Sequence, residues 1–260
     1  MAKTGKVPAS VTRTVTSNTR VTSPILNANP PDDDNTPSKS DVLDVLQGMS
    51  DAQLFNLWQR SKSISMPNML NDAQDDTQSF VFAAGLNERP IVLEDADYTK
   101  FLKDNGISDD MQLSRTVSSV SYRNASNTQV NLSAQQITDM MKYSRLNYIG
   151  GKHGGQVYGA GTYFDQNGGA NTGYGSSRGS QTSIAVLNPK TAKVIDYNTL
   201  ASKAQVWRKS HPKFSAAVGS FGYNGNVSIY ALAMGYNVIK AYSYHNVIDR
   251  SALVYRKSNL

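Results

Sequence analysis

Residues 155–175 read GQVYGAGTYFDQNGGANTGYG, a stretch that crowds glycines, aromatics and amides around a single charge, Asp165. Gly159 and Gly161 lead into Tyr163, so a flat ligand could lie against bare backbone on one side and an aromatic face on the other. The alternation of Val157, Tyr158, Tyr163 and Phe164 points to a packed strand or ordered loop rather than a flexible linker. Earlier in the chain, QLSRTVS sets Arg115 inside a strand-like alternation, where it offers a permanent charge and a planar fork of donors. Two common ways of holding a nucleotide are excluded. Gly159-x-Gly161-x-x-Phe164 lacks the third glycine of the dinucleotide fingerprint and no helix start follows it, and no Gly-x-x-x-x-Gly-Lys-Ser/Thr occurs.

Acids are scarce where chemistry would want them. The two glutamates, Glu88 and Glu94, both precede Arg115, and beyond residue 111 the carboxylates are Asp139, Asp165, Asp196 and Asp249. Asp139 falls on a helix surface and Asp196 caps a turn, whereas Asp165 borders the aromatic motif and Asp249 sits at a turn or strand end. The chain has no cysteine, hence no disulfide and no thiolate nucleophile. His153, His211 and His245 are too scattered for metal ligation, so no metal site is expected. Charge is uneven: residues 1–100 hold 9 Lys/Arg against 13 Asp/Glu and residues 101–260 hold 17 against 7. A basic half of that size attracts polyanions, nucleic acid and nucleotide pyrophosphate included. No signal-like apolar run opens the chain and no window approaches a membrane span, which predicts a soluble, non-secreted protein with no membrane partner.

The elements that must position these residues follow from capping and periodicity. Residues 1–38, rich in Thr, Ser, Asn and Pro, form an arm expected to be disordered. Residues 39–75 predict a helical hairpin, with Ser40 capping a first helix that Gly48 ends, and a capping box, Ser50 with Gln53, plus a Met49–Leu54 staple opening the second. From Phe80 the pattern becomes mixed. SFVFAA reads as a strand, LEDADYTKFLKDNG as a helix closed by Gly106, and MQLSRTVSSVSY as a strand carrying Arg115. A second capping box, Ser133 with Gln136, opens a helix that buries Ile137, Met140 and Met141. TSIAVLNP and AKVIDY read as strands, NVSIYALAMGY as a helix, and NVIKAYSY and NVIDRSALVYR as two closing strands. This is an α+β plan.

The segment GAGTYFDQNGGANTGYG resembles the Gly-x-Gly-x-Tyr-Phe stretch, followed by a further tyrosine, that forms the nicotinamide side of the NAD site in ADP-ribosyltransferases of the poly- and mono-ADP-ribose polymerase type. Over residues 76–260 the layout NERPIVLEDADYTKFLKDNG…LSRTVS…YGAGTYF…AKVIDY is similar to ADP-ribosyltransferase-type proteins encoded by bacteriophages and prophages. The resemblance implies an antiparallel split sheet with flanking helices. It implies that Arg115 holds the ribose or phosphate of NAD and that Thr116, where the family has glycine, meets the nicotinamide amide through backbone atoms. Gly161 belongs to the motif, Tyr163 stacks on the nicotinamide ring, Tyr174 closes its other face, and Asn171 stands where the family places a hydroxyl that bonds the carboxamide. The glutamate that the family carries near its last strands is missing. Tyr244 or His245 comes nearest the vacant position, and Asp249 and Asp165 are the available acids.

Three functions are compatible with these residues. The first is a mono-ADP-ribosyltransferase or NAD hydrolase with NAD as substrate and a host protein as acceptor, working in the host cytoplasm without the usual Glu. The second is an inactive protein of the same fold, virion-associated, docked to phage virion proteins through its arm and hairpin. The third is a nucleic-acid-binding protein that uses the basic half with its tyrosines as stacking platforms.

Overall fold

The computed structural model describes residues 39–64, 72–86, 88–123, 127–143, 158–166, 181–222 and 226–258. The expected disordered arm, residues 1–38, lies outside them, as do Asn171 and Tyr174. The described residues open with three helices, α1 (Lys39–Gly48), α2 (Asp51–Lys62) and α3 (Asp72–Ala83). Ser50 caps α2 as its sequence predicts: the Gln53 N–H donates to the Ser50 hydroxyl and the Ser50 N–H donates back to the Gln53 side chain. Strand β1 (Ile91–Leu93) and helix α4 (Asp95–Asp104) follow, and Gly106 turns the chain at φ +63°. Then come β2 (Leu113–Val117), the small hairpin β3 (Val120–Arg123) and β4 (Gln129–Leu132), α5 (Ala134–Tyr143), β5 (Thr162–Gln166) and β6 (Gln181–Leu187). The last third holds β7 (Val194–Asp196), α6 (Tyr197–Ser210), α7 (Pro212–Val218), α8 (Asn226–Ala233), β8 (Val238–Ala241), β9 (Tyr244–Val247) and β10 (Leu253–Arg256). Among the described residues this is an α+β fold of eight helices, one eight-stranded sheet and one two-stranded sheet.

The large sheet runs β1-β10-β6-β2-β5-β9-β8-β7. Its interior pairs are antiparallel, but both edges are parallel, β1 with β10 and β7 with β8, so the sheet is mixed where the family resemblance implies an antiparallel one. One face packs α5 on β2, β5, β6 and β10 through Ile137, Met141, Leu113, Phe164, Ala185 and Tyr255. On the opposite face, Tyr98 of α4 covers Val186 and Val254. At the β7–β8 end, α1, α2, α3, α6, α7 and α8 share one core with Ile195 and Ile239. Helix α8 is apolar all round and buried from Val227 to Ala233, as befits the centre of that core. Helices α1 and α2, the pair expected as a helical hairpin, pack into this core through Leu43, Leu46, Leu54, Leu57 and Trp58.

Several elements differ from their sequence reading. SFVFAA is the end of α3 and not a strand. A short apolar run fits either period, and Phe80, lying 6.2 Å from both Trp58 and Phe214, is drawn into helix–helix packing. MQLSRTVSSVSY breaks into β2 and β3, which join different sheets. NVIDRSALVYR is not one strand: its first residues finish β9, a 3₁₀ turn capped by Asp249 interrupts it, and β10 begins at Leu253. Helices α6 and α7 occupy a stretch to which the sequence reading assigns no element. No helix among the described residues is long and apolar enough to cross a membrane.

Candidate functional site

Strands β2, β5 and β9 lie side by side at the middle of the sheet and carry most of the residues singled out by sequence. β2 pairs with β6 along its whole length, Leu113–Ala185 through Val117–Gln181. With β5 it pairs only at Leu113–Gln166 and Ser114–Asp165, and beyond that point the two strands part. Arg115 is the first residue past the last pair. Its half-buried guanidinium turns across the opening and donates from Nη1 to the Tyr163 carbonyl at 2.8 Å. A backbone carbonyl that would otherwise lose its ladder partner is satisfied by a side chain, as buried backbone requires.

Period-two alternation distributes the remaining groups between two faces. Tyr163, Asp165 and Thr116 share one face with Tyr244, which stands opposite Asp165, and with Asn246, which stands opposite Tyr163. Arg115 projects to the other face, beside Ser183 of β6 and in line with Phe164 and His245. Arg115 and Tyr163 therefore meet through the Tyr163 backbone at the parting of the strands, not through their side chains. Tyr163 is half-buried, and its hydroxyl donates to the Gly159 carbonyl at 2.6 Å.

The two glycines of the motif serve close approach within the protein. A Cβ on Gly161 would run into the Asn246 Oδ1 and lie 2.7 Å from the Val247 carbonyl oxygen. A Cβ on Gly159, whose φ is +93°, would strike the Ser228 hydroxyl and lie 2.8 Å from the Ser228 nitrogen. The side of this backbone that sequence leaves open to a flat ligand is thus filled by β9 and α8. These two elements also hold the segment by its carbonyls. Asn246 Nδ2 donates to Tyr158 O at 2.8 Å and to Gly159 O at 3.1 Å, and the Ser228 hydroxyl donates to Ala160 O at 2.6 Å. Sequence reasoning missed Asn246 and Ser228. The available signals were an amide inside the otherwise strand-like YHNVI and the Gly-x-Gly itself, since paired glycines imply that something packs against them.

His245 is 6% exposed, and its Nδ1 finds no hydrogen-bond partner among the described residues. Burial, and after it the charge of the facing Lys240, lowers its pKa to about 4, so the ring is neutral at pH 7. Asp249 is buried. It accepts from the Ser251 N–H at 3.2 Å, from the Ser251 hydroxyl and from Asn237 Nδ2 at 3.3 Å, the arrangement of a turn cap. Asp196 caps α6 by accepting from the Asn198 and Thr199 N–H groups, and Asp139 accepts from Gln135 on α5. Asp165 is thus the carboxylate after residue 111 that stands on the central strands. Under α5, Arg250 donates from Nη1 to the Met140 carbonyl. Burial first, and the like charge of Arg115 among lesser causes, draws the Arg250 pKa below its ordinary value. No cluster of three metal-ligating side chains occurs among the described residues.

Where β2 and β5 part, a guanidinium on one face of the sheet thus meets the backbone of a half-buried tyrosine whose ring lies on the other face, together with the Asp165 carboxylate at the last β2–β5 pair. Comparisons with protein-family models, curated proteins and solved structures returned no match to this chain.

Proposed function

We propose that the protein binds NAD at the parting of β2 and β5 and acts as a mono-ADP-ribosyltransferase, passing ADP-ribose to an acceptor or to water. The observation that carries this reading is the Arg115–Tyr163 contact: two residues far apart in sequence, each assigned to NAD by the family resemblance, are joined by a hydrogen bond where the sheet opens. Breaking the nicotinamide–ribose bond builds positive charge on the ribose. A nearby carboxylate stabilises that charge in a site whose polar groups are already in place. With Asp139, Asp196 and Asp249 engaged in a helix pair and two caps, Asp165 is the residue for this role, opposite Tyr244. Arg115 holds the anionic part of NAD and Tyr163 offers its ring to the nicotinamide. The buried, neutral His245 takes no part as a proton carrier at pH 7.

The resemblance to phage-encoded proteins makes a host protein the acceptor in this reading. Incubating the purified protein with NAD labelled in the adenylate, with and without cell lysate, tests it: label transferred to protein, or free ADP-ribose, is the expected result. Asp165→Asn should cut the signal by roughly two orders of magnitude while leaving folding intact.

A second reading, a virion-associated binding protein that keeps the fold without the chemistry, draws support from the same carboxylates. The one acid on the central strands is an aspartate, shorter than the family's glutamate and on β5 rather than near the last strands. It predicts NAD binding without cleavage in the same incubation.

A further inference from the structure

We infer that Asn246 is a positioning residue for Tyr163, acting through the Gly159 carbonyl; this rests on the reading of the β2–β5 opening as the NAD site. Asn246 is 1% exposed and stands directly opposite Tyr163 in the β5–β9 register. Its amide donates to the carbonyls of Tyr158 and Gly159, and the Gly159 carbonyl also accepts the Tyr163 hydroxyl. One oxygen thus ties the ring of Tyr163 to a side chain on the neighbouring strand. Ser228 of α8 takes the next carbonyl, Ala160 O, and lies 3.5 Å from Asn246 Nδ2, so three successive carbonyls are held by two side chains from separate elements.

The chemistry requires an amide at 246. A carboxylate there would aim an acceptor at two carbonyl oxygens, replacing two hydrogen bonds by repulsion inside the protein. A longer side chain would meet the backbone of Gly161, which approaches so closely that a single Cβ would collide with Asn246. The position on β9 that faces Tyr163 is therefore committed to holding the aromatic segment and not to an acid, which separates the two jobs between β9 and Asp165. Because the Tyr163 hydroxyl is fixed at one end, the angle of the ring over the opening follows from where Gly159 O is held.

A double-substitution cycle on NAD affinity, with Asn246→Ala and Tyr163→Phe, tests this. Tyr163→Phe keeps the ring and cuts the link to Gly159 O. Asn246→Ala should weaken NAD by about tenfold in the wild-type background and by less than about twofold in Tyr163→Phe, the coupling typical of contacting residues. A second readout needs no NAD: 3-fluorotyrosine at position 163 should give one sharp ¹⁹F resonance in the wild type and a shifted or broadened one in Asn246→Ala. Ser228→Ala, which removes only the Ala160 link, should perturb it less. Additive effects in the cycle, or an unchanged ¹⁹F resonance, overturn the positioning role. If the ¹⁹F resonance changes as expected but wild-type protein does not bind NAD, the positioning role stands and the NAD reading falls.

Discussion

Replacing Gly161 with alanine adds one methyl group at the tightest point around the opening. The backbone φ is not in the left-handed region, so the conformation itself tolerates alanine and the effect is steric. The new carbon would overlap the Asn246 side-chain oxygen and lie 2.7 Å from the Val247 carbonyl oxygen. Neither neighbour can retreat without loss. Val247 is a backbone group of β9, paired on both sides with β5 and β8, and moving Asn246 breaks its bonds to Tyr158 O and Gly159 O. Overpacking a dense interior costs about 1–3 kcal/mol, and loss of the Asn246 amide bonds adds about 1–3 kcal/mol, with Gly159 O keeping the Tyr163 hydroxyl. Allowing for partial relaxation, Gly161→Ala should destabilise the protein by about 3 kcal/mol or more, a large part of the roughly 5–15 kcal/mol that holds a domain together. Urea unfolding with the midpoint read by far-UV circular dichroism measures it. Gly48→Ala, with nothing within 4 Å of the added carbon and an ordinary φ, is the control and should be neutral or slightly stabilising. A Gly161→Ala protein within about 0.5 kcal/mol of wild type, the scatter of inert surface changes, would refute the close packing of β9 against the Gly-x-Gly segment.

Other outcomes follow from the same geometry. The folded-state pKa of His245 is lowered to about 4 from 6.5, so its neutral form stabilises the fold above pH 6.5 and that contribution is lost as pH falls towards 4. The full loss is about 3 kcal/mol, and His245→Gln should flatten the stability profile between those values; an unchanged slope would contradict the burial of the ring. Asp249→Ala removes the acceptor of the Ser251 N–H and hydroxyl, while Asn237 keeps its bond to Thr191 O, and should lower stability by about 2 kcal/mol, with NAD cleavage falling only in proportion to the unfolded fraction. Asp165→Asn should do the reverse, reducing turnover by roughly two orders of magnitude at unchanged melting temperature and NAD affinity.

Local signals predicted the parts of the fold that local chemistry controls. Both capping boxes, Ser50–Gln53 and Ser133–Gln136, form as their spacing demands, and Gly106 closes α4 at positive φ, whereas Asp196, expected to cap a turn, caps the helix α6. The α+β class followed from the same patterns. What failed depended on partners distant in sequence: the end of α3 looked like a strand until Trp58 and Phe214 are placed against Phe80. The parallel edges of the sheet depend on which strands meet, which no local pattern encodes.

The candidate site divides in the same way. Arg115 and Tyr163 were recognisable from type and motif, but their junction through a backbone carbonyl depends on β2 and β5 parting after two pairs. The glycines read as leaving bare backbone to a flat ligand, and the group that lies against them is the protein itself, supplied by Ser228 and Asn246. Asp249 was weighed both as a site acid and as a turn aspartate, and its bonds to Ser251 and Asn237 are those of the turn.

Hydrogen exchange of the wild-type protein, with and without saturating NAD, bears most directly on the proposed site. NAD should slow exchange in both Arg115–Val117 and Tyr158–Phe164, the two segments that border the opening, and leave α1 and α2 unchanged. Tyr163→Ala should lose that protection while keeping the exchange pattern of the remaining sheet. If saturating NAD alters exchange in neither segment of the wild-type protein, the opening between β2 and β5 is not an NAD site and the transferase reading is wrong.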